Sequence, residues 1–299
     1  MAHAAPARAG VLIGNAHRWS VLVSACVQFC RTKPLGALGA VIVGLMMVVA
    51  LCASFIAPYD PIDMNYGTPL APPGTAYLMG TDNFGRDVLS RVIYGARTSL
   101  YVALFSVLLG TGSGALLGVV SGYAGGRFDM VVQRLLVDVI MAFPTLVLAL
   151  GMVSVLGPSL GNVVLAISIV QMPRSARIVR SAALSVRERE YVEAAKAIGA
   201  RAPRIVLFHV IPNCVAPYIV YATGALGAAV IVEASLSFLG VGTPPPTPSW
   251  GGMLAGVGRE YMEIAPWMAI FPGAALSITV FGFNMFGDSL RDILDPRLR

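Results

Sequence analysis

Charge is scarce in this chain. Only 36 of its 299 residues, 12%, are Asp, Glu, Lys or Arg, about half the share of an ordinary soluble domain. With 57% apolar residues and a mean hydropathy of +0.76, that excludes a water-soluble enzyme and points to several membrane crossings of about 20 apolar residues each. Histidine is rarer still: His3, His17 and His209 are the whole complement, and all three fall in segments expected outside the bilayer. Ser113, within Gly112-Ser113-Gly114, therefore lacks the base that a nucleophilic serine needs, so an intramembrane serine protease is excluded. The four cysteines, Cys26, Cys30, Cys52 and Cys214, are scattered. The first two have no second pair or histidine cluster to complete a zinc site, so all four read as small hydrophobes and no metal is expected. No G-x-x-x-x-G-K-[ST] loop is present, so the chain is not expected to bind or hydrolyse ATP. A cleavable leader is not expected either, because the apolar stretch from Val11 is interrupted by Asn15, His17 and Arg18.

What is there is a series of uncharged stretches bounded by charge: Leu35 to Ala57, Ser99 to Gly122, Val139 to Pro158, a shorter run to Pro173 after the turn Gly157-Pro158-Ser159-Leu160-Gly161, Ala216 to Leu239, and Ile264 to Gly287. The fourth must extend past Arg174 and Arg177, with those arginines snorkelling at the interface. The expectation is an all-α integral membrane protein of six transmembrane helices. Its parts would be an N-terminal segment 1–34, a first span and outer loop 35–98, a core 99–287 with a loop at about 174–213, and a tail 288–299. Residues 11–33 fit either an amphipathic surface helix or a disordered segment.

Cytoplasmic loops carry the excess of Lys and Arg. Alternating the loops across six spans puts 17 of the 21 Lys and Arg on one side, eight of them between Arg174 and Arg204, and four on the other. Both termini are therefore expected in the cytoplasm, and the pI near 9.4 needs no nucleic-acid partner. In the outer loop, Val88, Leu89, Val92 and Ile93 alternate with Arg86, Asp87 and Arg91 at helical spacing over 80–97. This predicts an interfacial helix leading into the second span, serving as a structural elbow or as a docking site.

Within that span, Gly110, Gly114, Gly118 and Gly122 line one helical face with almost no side chain, so another backbone packs closely there, within this chain or at a subunit interface. Two carboxylates fall inside expected spans. Asp138 follows Arg134 by four residues, the spacing of an ion pair. Glu233, ahead of Ser235 and Ser237, either meets a solute's ammonium group or bonds a neighbouring helix; Glu233 and Ser235 are candidates for the solute path. A proton- or sodium-driven transporter would be expected to carry more intramembrane carboxylates or broken helices at a midplane site.

Between the fourth and fifth spans, Arg187 to Ala200 is rich in helix formers and closes at Gly199. Ala194, Ala195 and Ala197 give it a slim face, and Arg189, Glu193 and Lys196 are spaced for surface charge pairs. Pro212 marks the entry to the fifth span. Glu193-Ala194-Ala195, then Gly199, His209 and Pro212 is similar to the EAA loop of permease subunits of ATP-binding-cassette importers. The chain further resembles the second permease subunit of dipeptide, oligopeptide and nickel importers. The matching pieces, spread from Ile56 to Pro296, include Ala57-Pro58-Tyr59-Asp60-Pro61, Gly80 to Asp87, Gly122-Tyr123-Ala124-Gly125-Gly126, Ala142-Phe143-Pro144, Ser235 to Gly240, Pro245 to Gly251 and Gly287 to Asp292. Two departures are Ile211, where leucine is usual, and Ser289, where glycine is usual.

The resemblance implies the type I importer permease fold and a prokaryotic inner membrane. The segment Glu193 to Gly199 would be a coupling helix docked on a cytoplasmic ATPase subunit, so ATP and Mg would be bound by partners and not by this chain. It also implies a second, different permease subunit, two ATP-binding subunits and an extracytoplasmic substrate-binding protein facing the segment 240–266. The solute class is dipeptides or oligopeptides, with nickel chelates or another small solute as the alternative.

Overall fold

Gly110, Gly114, Gly118 and Gly122 set the centre of the fold. In a computed structural model, which describes residues 30–64, 68–255 and 261–294, they lie on the long helix α3. The helices are α1 (Pro34–Leu51), α2 (Ala53–Ile56), α3 (Val88–Ala124), α4 (Gly126–Val131), α5 (Asp138–Met141), α6 (Thr145–Leu156), α7 (Leu160–Arg187), α8 (Glu190–Ala197), α9 (Ala202–Ile205), α10 (Ile211–Phe238), α11 (Trp250–Leu254) and α12 (Trp267–Leu294), with π-helical turns at Val132–Val137 and Val206–Val210. A Cβ on Gly110 would strike the Ser168 carbonyl, one on Gly114 the Met172 carbonyl, one on Gly118 the Ala176 carbonyl, and one on Gly122 the Arg180 carbonyl. The seam is thus within this chain, against α7, and makes α3 and α7 the most extensive helix pair. Numbering rises together on both sides of the seam, so α3 and α7 run parallel. Ser168 Oγ donates to the Ser106 carbonyl at 3.2 Å and Ser175 Oγ to the Thr111 carbonyl at 2.6 Å, contacts that only close backbones permit.

The pairings of α10 with α3 and with α12, and of α1 with α12, are antiparallel. Glu233 on α10 meets Ser99, and Tyr218 meets Thr111. Gly227 and Gly287 bring α10 against α12, while Gly39 and Gly282 bring α1 against α12. Lys33 Nζ meets Asp292 Oδ2 at 2.6 Å, so the start of α1, the end of α12, the start of α10 and α8 share one end of the bundle, called below the α8 end. At the opposite end Asp82 accepts from the Phe84 and Arg86 backbone N–H groups and from Arg86 Nε at 2.7 Å. There Asp87 caps α3 by accepting from the Ser90 N–H, and the buried Trp250 indole donates to the Val92 carbonyl.

Four helices are long and apolar enough to cross a membrane: α1, α3, the continuous stretch Ala202–Phe238 that contains α9 and α10, and α12. The pair 126–141 and α6 makes a fifth if counted as one bent span. The 28 residues of α7 suffice in length, but its polar residues, four arginines among them, keep it out of that set.

Several expectations are corrected. The third stretch is not one straight helix: it bends by 88° at Ala142-Phe143-Pro144, because proline pushes the preceding residue out of helical geometry. The separate interfacial helix over 80–97 does not form. Its residues from Val88 onward are the first turns of the 37-residue α3, about 55 Å long against a hydrocarbon core of about 30 Å. Asp138 pairs with Arg177 at 2.7 Å rather than with Arg134; a tertiary partner on α7 outcompetes the one on its own helix, where a π-helical turn breaks the four-residue register. Pro212 does not begin a span but lies inside Ala202–Phe238. It has no N–H for the Phe208 carbonyl, and the turn before it widens so that the Ile211 N–H reaches the Val206 carbonyl. The helix ending in the segment 288–299 reaches Leu294. Cys26 and most of the segment 1–34 lie outside the described residues.

Candidate functional site

The sequence between Arg189 and Ala200 folds as foreseen. Glu190 and Glu193 occupy the first turn of α8 and Lys196 the last, each favourably placed on the helix dipole. At the C-terminus the Gly199 N–H donates to the Lys196 carbonyl and the Ala200 N–H to the Ala195 carbonyl, both at 3.0 Å. This is the Schellman arrangement, which needs a left-handed residue at the turn. Gly199 supplies it with φ of +82°, and nothing lies within 4 Å of where its Cβ would be. Gly199 is required by the backbone, not by crowding.

The helix is seated by Val192 and Ala195, which are buried in an apolar cluster with Val119, Val179, Val186, Val210 and Cys214. Ala195 therefore faces the bundle, while Tyr191, Glu193, Ala194, Lys196 and Ala197 are exposed. Ile198 is 87% exposed. The surface pairs expected of Glu193 with Arg189 and Lys196 do not form; the ion pairs among the described residues lie elsewhere. His209 lies on the π-helical turn, its ring centroid 6.0 Å from that of Tyr191, and its carbonyl accepts from Asn213. Glu193, Ala194, Ala195, Gly199 and His209 thus come together at one end of the bundle.

Pro212 lies apart from them, on the rim of a cavity of about 940 Å³. Its walls come from α7, α10 and α12, with Thr145 at the start of α6. The polar wall residues Gln171, Arg174, Asp288 and Arg291 were missed in the sequence. Their one signal in the sequence is that Gln171 and Arg174 interrupt an apolar run, and snorkelling at the interface is the sequence expectation for Arg174. It faces the cavity instead, and Arg177 binds Asp138. Asp129 was missed as well. Its carboxylate takes both Nε and Nη2 of Arg180, fixing α4 to α7.

Glu233 is fully buried and does not line the cavity. Its carboxylate accepts from Ser99 Oγ and Ser237 Oγ, each at 2.8 Å, joining α10 to α3. Ser235 points away and donates to the Ile231 carbonyl of its own helix. The geometry gives both residues a structural role. Ser113 likewise bonds the Leu109 and Gly110 carbonyls.

Residues 114–299 match the family described as binding-protein-dependent transport system inner membrane component, and residues 28–73 match the N-terminal transmembrane domain of oligopeptide transport permease C. Among similar proteins is the dipeptide transport system permease protein DppC of Alkalihalophilus pseudofirmus, 42% identical over 269 residues, 90% of this chain and 88% of that protein. The di/tripeptide transport system permease protein DppC of Pseudomonas aeruginosa is 43% identical over 279 residues, 91% of each chain. The glutathione transport system permease protein GsiD of Pectobacterium atrosepticum is 40% identical over 256 residues, 85% of this chain and 84% of that protein. With the family match covering more than half of the chain, this chain belongs to the binding-protein-dependent transport system inner membrane components, the permeases of those systems.

Proposed function

We propose that this chain is one permease half of an ATP-driven importer of dipeptides or oligopeptides in a prokaryotic inner membrane. The observation that carries the reading is the placement of α8. It is fixed to the bundle by Val192 and Ala195, yet offers Glu193, Ala194, Lys196 and Ile198 to a partner. Its neighbour His209 belongs to the same continuous helix, Ala202–Phe238, that walls the cavity. A push on α8 by an ATPase subunit is thereby passed to the cavity wall, a rigid-body transition. ATP and Mg belong to two ATP-binding partner subunits, a second permease completes the pathway as a heterodimer, and an extracytoplasmic binding protein delivers the solute. The names of the relatives favour peptides over nickel chelates.

Six crossings also fit the geometry. Because α3 and α7 run parallel, the chain between them returns along the bundle, which supports reading the bent pair 126–156 as a crossing and not as a re-entrant loop. Since α7 lies along α3, it crosses with it. The α8 end, with Lys33 and Asp292, is the cytoplasmic one, in keeping with the excess of Lys and Arg there.

The test is purification of the tagged chain from native membranes in mild detergent, mass spectrometry of what co-elutes, and dipeptide uptake by cells with and without the chain. Recovery of two ATP-binding subunits and a second permease, with uptake dependent on the chain, is expected. A homogeneous species without an ATPase overturns the reading.

A further inference from the structure

The cavity wall carries more polar chemistry than its packing uses. Arg174 lies roughly 20 Å along α7 from Leu160, is exposed, and lines the cavity. No carboxylate among the described residues pairs with it; Asp138 and Asp129 are taken by Arg177 and Arg180. One turn away on the same helix, Gln171 is 8% exposed, and neither its Oε1 nor its Nε2 has a hydrogen-bond partner among the described residues. Across the cavity α12 presents Asp288 and Arg291, so the wall holds two guanidinium groups against one carboxylate and is net positive.

We propose, on the peptide-importer reading above, that Arg174 receives the carboxylate of a small peptide in this cavity and that Gln171 receives its amide. An ionisable side chain in a spanning helix that faces a cavity marks a solute path. The planar guanidinium fork matches a carboxylate with two parallel hydrogen bonds, which an ammonium does not. Gln171 offers one acceptor and one kind of donor, the complement of a peptide unit. A buried amide left unpaired is destabilising, so Gln171 serves something other than stability. Its amide is packed into the wall, so the carboxylate meets Arg174 first. Gly224 and Ala228 of α10 leave room opposite.

The experiment uses the assembled importer, reconstituted with its permease, ATPase and binding-protein partners, and alanyl-alanine as the probe, reading peptides imported per ATP hydrolysed. Arg174→Gln is expected to lower that ratio about ten-fold, the worth of one charge-assisted contact. Arg174→Lys, which keeps the charge but not the fork, is expected to recover part of it, and Gln171→Leu to lower it several-fold. A wild-type ratio in Arg174→Gln, or equal losses in Arg174→Gln and Arg174→Lys, overturns the Arg174 assignment; a wild-type ratio in Gln171→Leu overturns that of Gln171. Should the wild-type importer itself not carry alanyl-alanine, the peptide reading fails first. Failure confined to the variants leaves that reading standing.

Discussion

The Ser175 hydroxyl on α7 donates to the Thr111 carbonyl on α3 at 2.6 Å, beside the point where a Cβ on Gly114 would strike the Met172 carbonyl. Gly114→Val forces the two backbones apart and should cost about 1–3 kcal/mol, seen as a lower melting temperature in detergent. Gly112→Ala is the control. Its nearest neighbour would be the Tyr218 hydroxyl at 3.9 Å, and alanine favours helix over glycine by up to about 1 kcal/mol, so stability should hold or rise.

At Gly199 the argument is conformational. Gly199→Val must hold a β-branched residue at φ near +82°, at a cost of about 1–2 kcal/mol, while asparagine tolerates that region. Uptake should fall in Gly199→Val and, by added charge at the contact surface, in Gly199→Asp, with membrane insertion unchanged. Gly199→Asn should retain most of it. Equal uptake in all three, measured against ATP hydrolysis, removes Gly199 from the coupling helix.

Glu233→Gln keeps an acceptor for one serine and a donor for the other, since a hydroxyl can turn to accept. Uptake and stability should stay near wild type. Glu233→Leu takes from Ser99 and Ser237 the acceptor of their buried hydroxyl protons, though Ser237 keeps the Thr243 N–H, and should destabilise by about 1–3 kcal/mol. A loss of uptake in Glu233→Gln without loss of stability would restore Glu233 to the solute path.

The two ion pairs of α7 should separate in the same measurement. Arg177 and Asp138 are half exposed, and Arg177→Ala should cost under about 1 kcal/mol. Arg180 meets the mostly buried Asp129 through both arms, and Arg180→Ala should cost about 2 kcal/mol. Reversed magnitudes would show that α4 is not held by Arg180.

Composition made the class legible, and the run of helix formers closing at Gly199 made the helix α8 legible. Both are local: apolar run length decides a crossing, and Gly199 announces its own backbone turn. What stayed hidden depends on distant partners. The break at Pro144 sits within an apolar run whose composition does not change across it. The partner of Asp138 is chosen by the packing of α7, which no four-residue spacing records. Arg174 and Arg177 look alike in the sequence, and only helix rotation sends one into the cavity and the other to a carboxylate. The glycine spacing fixed the closeness of a contact but not its owner, since a groove accepts any matching backbone.

On the α3 side of the seam with α7, four successive turns present no side chain, so Gly110, Gly114, Gly118 and Gly122 meet the α7 backbone with little slack between them. Two helices joined in that way are expected to move as a single plank over the stretch from Ser106 to Arg180. A change in the width of the cavity then falls to the wall across from the plank, where α10 carries Pro217 within its helix and facing the cavity.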